Sequence, residues 1–367
     1  MLSWSAIIPT LNRGAILERS LPTIVAQTRP PKQIIVVDAS DEWELSKTRI
    51  LNSLALTAKS IEFIYVGSDK KSLTYQQNVG LSFCDSDVVF YLDDDSFMYI
   101  NCAEEIMKIY EQDEEHLVGG VMALMVSQPP STSKNDQKNS QSDNPVQTNK
   151  QPDKLNVWKR FLKPFHKLWH IQNLFIPYDG TYHRYDISEL AQKTAINNVV
   201  LFHGCRMTFR TSALKEIGGF EELISRTVND LDVSYRVSRT SALVLARRAK
   251  LFHEQTAVSR INRYKNSVLV ILNPIALFLA HRTVQHGVNI LVVRFALSRA
   301  LLEFLRDCAN PNRGFPHARG AWLALKLVPK LMRMDKQQLR EWYPRFQAEL
   351  LNKENDSKLF SKLLIFS

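Results

Sequence analysis

Apolar runs alternate with segments of helical spacing along the first hundred residues of the chain. Four short apolar runs are typical of strands buried on both faces, at residues 5–9, 33–38, 61–66 and 88–92. Between them, residues 15–27 and 73–84 repeat their apolar side chains at helical spacing. Strands that alternate with helices predict an α/β fold in which a mainly parallel sheet carries helices on both faces.

The pattern breaks after this region and then resumes. Residues 127–156 are rich in Ser, Gln, Asn, Lys, Asp and Pro and contain no aromatic side chain, so we expect a disordered insertion there. Strand-like stretches return at residues 198–202, 206–210 and 243–246.

The last hundred residues have a different character. Apolar segments of helical length carry basic residues, at 268–280, 288–299 and 322–334. We therefore expect one α/β domain over residues 1–265 and a basic helical extension over residues 266–367. The longest apolar run, 268–280, is shorter than the ~20 residues that cross a bilayer, so no transmembrane helix is expected.

Positive charge is concentrated in the extension. The chain has a net charge of +10, and between Arg282 and Arg345 there are twelve Lys or Arg against four Asp or Glu. Two interpretations remain open for these helices. They pack as an appendage on the core, or their apolar faces and cationic rims dock on an anionic membrane surface.

Cysteine usage and the N-terminus indicate the cellular compartment. The four cysteines lack the paired spacing of a zinc site or a disulfide framework: Cys84, Cys102, Cys205 and Cys308. No basic leader precedes the first strand. A cytoplasmic, reducing location is expected.

Three polar clusters follow predicted strands. Asp93, Asp94 and Asp95 come directly after the run 88–92, Asp38 ends the second run, and residues 10–13 follow the first. Ligands bind at the carboxyl ends of strands in parallel sheets. Three adjacent carboxylates repel one another unless a cation is present, and oxygen ligands suit Mg²⁺ or Mn²⁺. An acidic helix cap would explain the triplet alone, but not three clusters at one edge.

The order of motifs resembles the family 2 glycosyltransferases, which have the GT-A (nucleotide-diphospho-sugar transferase) fold. The DXD-like Asp93–Asp95 triplet is the most specific of them. The resemblance extends over about residues 4–255, through the segments 8–13, 35–40, 73–81, 90–95, 204–210, 217–222 and 229–232.

This resemblance implies an inverting transfer of a sugar from a nucleotide-diphosphate sugar to an acceptor hydroxyl. Asp230 would be the general base, and Asp38 would recognise the nucleobase. Asp93 and Asp95 would hold Mg²⁺ or Mn²⁺, with His253 as a further metal ligand or as a structural histidine. Asp94 would lie near the donor ribose or sugar. The donor would also contact Pro9, Thr10, Asn12, Arg13, Lys71 and Asn78, and the acceptor side would include Gly204, Cys205 and Asp232.

Some positions remain open or depart from the family pattern. Lys70 could face the donor instead of Lys71, and Asp232 could support the helix predicted at 229–239 through an i,i+4 pair with Arg236. The usual residues differ at four positions, where a second Asp, an aromatic residue, an Arg and a Glu are replaced by Ala39, Leu11, Gln77 and Asn229.

Two other classes of protein are alternatives to a glycosyltransferase. A non-catalytic basic protein that binds membrane or nucleic acid fits the charge, but no nucleic-acid module is recognisable and no nucleic-acid partner is expected. A nucleotidyltransferase would need a Gly-rich phosphate loop near the first strand, where only Gly14 is present. The favoured product is a cell-surface polysaccharide or glycolipid made on a saccharide or lipid-linked acceptor. The enzyme would be cytoplasmic and peripheral on the inner face of the plasma membrane.

Overall fold

The computed structural model describes residues 1–54, 60–130, 183, 185–256, 261–282, 287–309, 311 and 314–352. Most of the predicted insertion, from residue 131 onward, lies outside these residues. The chain divides into two compact units. The first comprises Met1–Val146, Tyr182–Glu221 and Asn229–Ser259, and the second comprises Gln147–Thr181, Glu222–Val228 and Arg260–Ser367.

A nine-stranded sheet forms the centre of the first unit, within the part of the chain that the structure describes. Its strands are β1 (Trp4–Thr10), β2 (Gln33–Asp38), β3 (Glu62–Gly67), β4 (Val88–Leu92), β5 (Ser96–Met98), β6 (Val118–Val126), β7 (Ile196–Asn198), β8 (Arg206–Arg210) and β9 (Ala242–His253). The order is β3-β2-β1-β4-β8-β6-β9-β5, and β7 pairs with β9.

The sheet is parallel in one half and mixed in the other. Strands β3, β2, β1 and β4 are parallel, as the strand–helix alternation predicted. Strand β8 then runs antiparallel between β4 and β6, while β9 is parallel to β6. Strands β5 and β7 pair antiparallel with β9. The local pattern could not reveal this half, because strand direction there follows from long-range pairing and not from a helical crossover.

Alternating side chains of the strands fill two separate cores. Ile8 and Val36 point to one face, where they pack with helix residues such as Leu17 and Ile106. Ile7 and Val37 point to the other face and pack with residues such as Leu81. This division follows from the two-residue period of a strand, and it explains why the runs are apolar at every position.

Helices cover both faces of the sheet. They are α1 (Gly14–Val25), α2 (Trp43–Leu54), α3 (Leu73–Phe83), α4 (Cys102–Gln112), α5 (Ser188–Lys193), α6 (Thr211–Glu216) and α7 (Asn229–Val237). Helix α3 lies so close to β1 that a Cβ atom on Gly80 would come within 2.4 Å of Ile7 Cγ2. The predicted α/β fold with helices on both faces is confirmed.

The strand predicted at residues 198–202 is wrong in extent. The strand β7 ends at Asn198, and after one more backbone hydrogen bond, from the Val199 N–H to the Leu243 carbonyl at 2.9 Å, the segment is irregular. Phe202 is fully buried against Phe209, with ring centroids 5.4 Å apart, and its N–H donates to Ser234 Oγ at 3.0 Å. The apolar pattern here therefore reflects burial of an irregular segment, which periodicity does not distinguish from a short strand.

The described C-terminal residues of the second unit are helical, as predicted. Its helices are α8 (Arg263–His281), α9 (Val288–Cys308), α10 (Pro316–Arg333) and α11 (Lys336–Asn352). Helix α8 is buried along nearly its whole length. None of the described helices combines the length and the apolar character needed to cross a membrane.

Buried polar side chains tie the second unit together. Asn273 is a polar residue within the apolar run of α8. Its side-chain amide donates to the carbonyls of Arg226 and Thr227, at 2.6 and 3.0 Å. Tyr343 donates to the same side chain at 2.6 Å. Gln347 donates to the Leu223 carbonyl at 2.8 Å. Residues 222–228 are thus held by hydrogen bonds from α8 and α11.

Candidate active site

Strand direction brings the chemically active residues to one edge of the sheet. The parallel strands β1, β2 and β4 end there at Thr10, Asp38 and Leu92, and Asp93 follows. The antiparallel strand β8 begins at the same edge, because Arg206 pairs with Leu92. Strand β9 ends there too, with His253 opposite Ser96.

The Asp93–Asp95 triplet is held by Arg13. Its guanidinium bridges two of the carboxylates, with Nη1 2.9 Å from Asp94 Oδ1 and Nη2 2.6 Å from Asp95 Oδ2. Thr10 donates to Asp94 Oδ2 at 2.7 Å. Thr256 also contacts both Arg13 and Asp95. The loop after β1 thus supplies a fixed positive charge to two buried acids.

His253 lies close to two members of the triplet, Asp95 and Asp93. Its Nε2 is 2.9 Å from Asp95 Oδ1 and 3.6 Å from Asp93 Oδ2. Burial opposes ionisation of Asp95, but the neighbouring imidazole and the Arg13 guanidinium outweigh it and hold the Asp95 pKa well below its usual range. Asp95 is therefore ionised at neutral pH.

The other two carboxyl groups are less readily ionised. Burial raises the pKa of Asp93 to about 6, with the His253 charge opposing the shift. Burial raises the pKa of Asp94 to about 7, against the opposing effects of Arg13 and Thr10. The Asp93 side chain is nevertheless 41% exposed, so it is the member of the triplet that solvent reaches. Carboxyl groups with strongly shifted pKa values are common at functional sites.

These residues fit a divalent cation. One ligand atom each from Asp93, Cys205 and His253 lies within 4.8 Å of the others. Asp95 Oδ1 is buried and lies 2.9 Å from His253 Nε2, so Asp95 adjoins this group of three. The structure thus brings together Asp93, Asp95 and His253, the ligands predicted from the sequence. Cys205, predicted on the acceptor side, adjoins them.

Asp38 is the last residue of β2 and lies at the same edge of the sheet. It is 1% exposed, and its oxygens accept hydrogen bonds from the Ser40 N–H at 2.8 Å and the Tyr65 hydroxyl at 2.7 Å. An open cleft of about 640 Å³ lies next to it, lined by residues that include Asn12, Ser40 and Arg49. Nucleobase recognition by Asp38 stays a prediction, with both of its oxygens already engaged by the protein.

Several other residues predicted to contact the donor make contacts within the protein. Pro9 is buried within β1, where it pairs with Val37. Asn12 has a positive φ of 55°, and its N–H donates to Ser40 Oγ at 2.7 Å. Lys71 is 2.7 Å from the exposed Asp41.

The residues Lys70 and Asn78 are directed to other contacts. Lys70 Nζ lies 4.4 Å from the centre of the Tyr75 ring. Asn78 uses its amide to hold the turn at Phe220, donating to the Phe220 carbonyl at 2.9 Å and accepting from its N–H at 2.8 Å. Its contacts in this structure are those of a turn-holding residue, so its donor role remains a prediction.

Asp230 stands at the start of α7, facing the residues before β8. Its Oδ2 accepts from the Gly204 N–H at 2.8 Å, and its Oδ1 accepts from the Leu231 N–H at 3.0 Å. Burial raises the pKa of Asp230 above the ordinary 3.8, although these two hydrogen bonds oppose the rise. A carboxylate with a raised pKa is a stronger base than an exposed one.

Asp232 has a structural partner. It is 1% exposed, and Arg236 donates to its Oδ2 from Nε at 2.9 Å and from Nη2 at 2.7 Å. The i,i+4 pair predicted from the sequence is confirmed.

Two positions that depart from the family pattern contact one another. Asn229 Nδ2 donates to Gln77 Oε1 at 3.2 Å, and both side chains are buried. Where the family commonly has Arg and Glu, this chain has a neutral amide pair. The pair joins α3 to the first residue of α7, immediately before Asp230.

We expect the two amides to be replaceable only together. Asn229→Glu alone, or Gln77→Arg alone, buries an uncompensated charge and should destabilise the fold by about 3 kcal/mol. The double variant should recover much of this loss, because the two charges pair. Urea unfolding of the four proteins measures the coupling. Simple addition of the two losses in the double variant would show that the residues do not act as a pair.

Two further residues of the site were not predicted from the sequence. Gln76 donates from Nε2 to the carbonyls of Thr10 and Val37, each at 2.8 Å, and so joins the ends of β1 and β2. Thr256 lies 161 residues after its partner Asp95. Cys205 was predicted on the acceptor side, and the structure adds that it lies beside Asp93 and has a constrained backbone with a φ of 64°. Each depends on distant pairing, which local motifs do not record.

Comparison with known proteins gives a family and several similar folds. The model of "Glycosyl transferase family 2" matches residues 5–218. No curated protein sequence matches the chain. TarS of S. aureus in complex with UDP-GlcNAc is 12% identical, with 94% of this chain and 88% of that chain covered and a TM-score of 0.48. The mannosyltransferase PcManGT of Pyrobaculum calidifontis, in complex with GDP-Man and Mn²⁺, is 15% identical, with 95% and 85% covered and a TM-score of 0.47.

The family match covers the part of the chain that carries most of the site. It extends from β1 through the Asp93–Asp95 triplet and β8 to the turn after α6. This match and the mixed sheet with helices on both faces agree with the predicted GT-A architecture. Because the family model matches more than half of its length, the chain belongs to glycosyl transferase family 2.

Proposed function

We propose that this glycosyltransferase is metal-dependent and inverting, and that it moves a sugar from a nucleotide-diphosphate sugar onto an acceptor hydroxyl. The observation that carries the proposal is the placement of two carboxylate sites at one sheet edge. One is the triplet beside His253, and the other is Asp230 held by Gly204. The first suits a diphosphate with its cation, and the second suits a proton to be removed.

Asp93, Asp95 and His253 would hold Mg²⁺ or Mn²⁺, with Cys205 within reach of the same position. A divalent cation bound there stabilises the negative charge that grows on the leaving diphosphate. Arg13 already neutralises part of the triplet, so the residues of the chain supply both ligands and a fixed countercharge.

Asp230 would remove the acceptor proton. The acceptor oxygen forms a bond to the anomeric carbon, the bond from that carbon to the diphosphate oxygen breaks, and the hydroxyl proton passes to the Asp230 carboxylate. Attack from the side opposite the leaving group inverts the anomeric centre. The Gly204 and Leu231 N–H groups fix the orientation of the base.

The acceptor and the location are proposed on broader grounds. A saccharide or lipid-linked acceptor would place the enzyme at the inner face of the plasma membrane, where the cytoplasm supplies nucleotide sugars. The basic helical region, residues 266–367, then serves as the peripheral membrane extension of a catalytic domain at residues 1–265. Cell-surface polysaccharide or glycolipid is the product class that this arrangement supports.

A thermal-shift screen tests the proposal directly. We expect one nucleoside diphosphate, or its sugar conjugate, to raise the melting temperature only when Mn²⁺ or Mg²⁺ is present. A ligand at one hundred times its Kd stabilises the native state by about 2.7 kcal/mol. Metal alone and nucleotide alone are the controls. A folded sample that shows no shift with any pair would favour a non-catalytic protein that keeps the fold.

A further inference from the structure

Helix α9 presents a row of large apolar side chains to solvent. Five of them follow one stripe of the helix at intervals of three and four residues, and each is between 43% and 75% exposed: Ile290, Val293, Leu297, Leu301 and Phe304. Single exposed apolar residues are ordinary in proteins, but a continuous row of this length is not. Phe304 lies 6.2 Å from the Phe315 ring, and within the described part of the chain the row as a whole is a candidate docking face.

The opposite face of α9 shows that the helix cannot turn to bury the row. Val292, Phe295 and Ala296 are buried there. Glu303 is fully buried on the same side, where it accepts from Ser267 Oγ of α8 at 2.7 Å and lies 3.1 Å from His317 Nδ1 of α10. Rotation of the helix would expose this paired carboxylate and the apolar face around it. The exposed stripe is thus a fixed property of the packed helical unit.

The net charge of the C-terminal region indicates which kind of partner the stripe fits. Residues 260–367 contain 18 Lys or Arg and 7 Asp or Glu, whereas residues 1–259 contain 29 and 30. Arg294 is exposed and lies four residues after Ile290, within the stripe. A second copy of the chain would bring two regions of net positive charge together, whereas a surface of anionic lipid has the complementary charge.

We propose that the α9 stripe lies in the interfacial layer of an anionic bilayer, with the helix parallel to the membrane plane. The five apolar side chains enter the acyl boundary, and Arg294 meets the lipid phosphates. Helix α10 adds the exposed Trp322, and Lys326 Nζ lies 5.4 Å from the centre of its ring. An aromatic ring beside a basic group suits the level of the lipid headgroups. This inference deepens the proposed peripheral location by naming its surface, and it holds or fails independently of sugar transfer.

Sedimentation of the full chain with vesicles tests the surface. Wild-type protein should bind vesicles of phosphatidylcholine and phosphatidylglycerol, and bind phosphatidylcholine alone much more weakly. Leu297→Ser with Leu301→Ser should lower the partition coefficient at least about tenfold. Arg294→Gln should lower it about fivefold on the anionic vesicles only.

A matched control replaces two exposed apolar residues of the first unit, Leu51→Ser with Phe83→Ser, and should bind vesicles as the wild type does. Melting temperatures show that each variant is folded, and the metal-dependent nucleotide shift is recorded without vesicles. Absence of wild-type binding to anionic vesicles, or undiminished binding by the Leu297/Leu301 variant, overturns the proposal. So does a wild-type dimer, seen by light scattering, that the same variant dissociates. Failure of the nucleotide shift with intact vesicle binding would count against the transferase mechanism alone.

Discussion

Asp230→Asn is expected to bind the nucleotide donor normally and to lose sugar transfer, with kcat lowered by a factor of about 10²–10⁴. The amide oxygen of Asn can still accept from the Gly204 N–H, whereas the Leu231 N–H loses its acceptor, so a melting temperature shows that the variant is folded. The amide cannot take the acceptor proton, which is the step assigned to this carboxylate. Steady-state kinetics with the donor found by thermal shift measure kcat, and the metal-dependent shift measures donor binding.

The control for this variant is Glu216→Gln, which removes an exposed carboxylate at the end of α6, fourteen residues earlier in the chain. It should transfer sugar at the wild-type rate. The pH dependence of the wild type gives a second readout. A base must be ionised, so kcat/KM should fall as the pH drops through the Asp230 pKa, which burial raises above 3.8. A fully active Asp230→Asn would rule out Asp230 as the base.

Asp95→Ala is expected to abolish the metal-dependent part of donor binding while the fold persists. Asp95 is the ionised member of the triplet, and it is the carboxylate closest to His253. Its removal takes a charged oxygen from the cation and leaves His253 without its 2.9 Å partner. The change in melting temperature caused by nucleotide should then be the same with and without Mn²⁺, where the wild type shows a difference.

Asp85→Ala is the matched control. Asp85 lies before β4, at the end of the strand opposite the triplet, and its side chain is 56% exposed. It should keep the full metal-dependent shift. A lower melting temperature of the Asp95 variant without ligand is not evidence for metal binding, because Arg13 also loses an ion pair. If the variant keeps the wild-type difference between metal and no metal, Asp95 is not a ligand.

Much of the site could be read from the sequence because its signals are local. Each apolar run of β1, β2 and β4 ends at polar residues, and this order places Thr10, Asp38 and Asp93 at one edge of any parallel sheet. The Asp232–Arg236 pair was equally readable, since it depends only on the turn of one helix. Burial on two faces and helical spacing likewise identified the strands β1 to β4 and the helices α1 and α3.

Tertiary structure alone decided how distant segments meet. The antiparallel insertion of β8 places Cys205 beside the triplet, and the pairing of β5 with β9 places His253 next to Asp95. The contact between Gln77 and Asn229 spans 152 residues. The α9 stripe also belongs here, because a helical pattern marks apolar residues without showing which face its neighbours cover. Periodicity records the conformation of a segment and the polarity of its faces, whereas strand direction, register and the covering of a face depend on contacts between segments far apart in the chain.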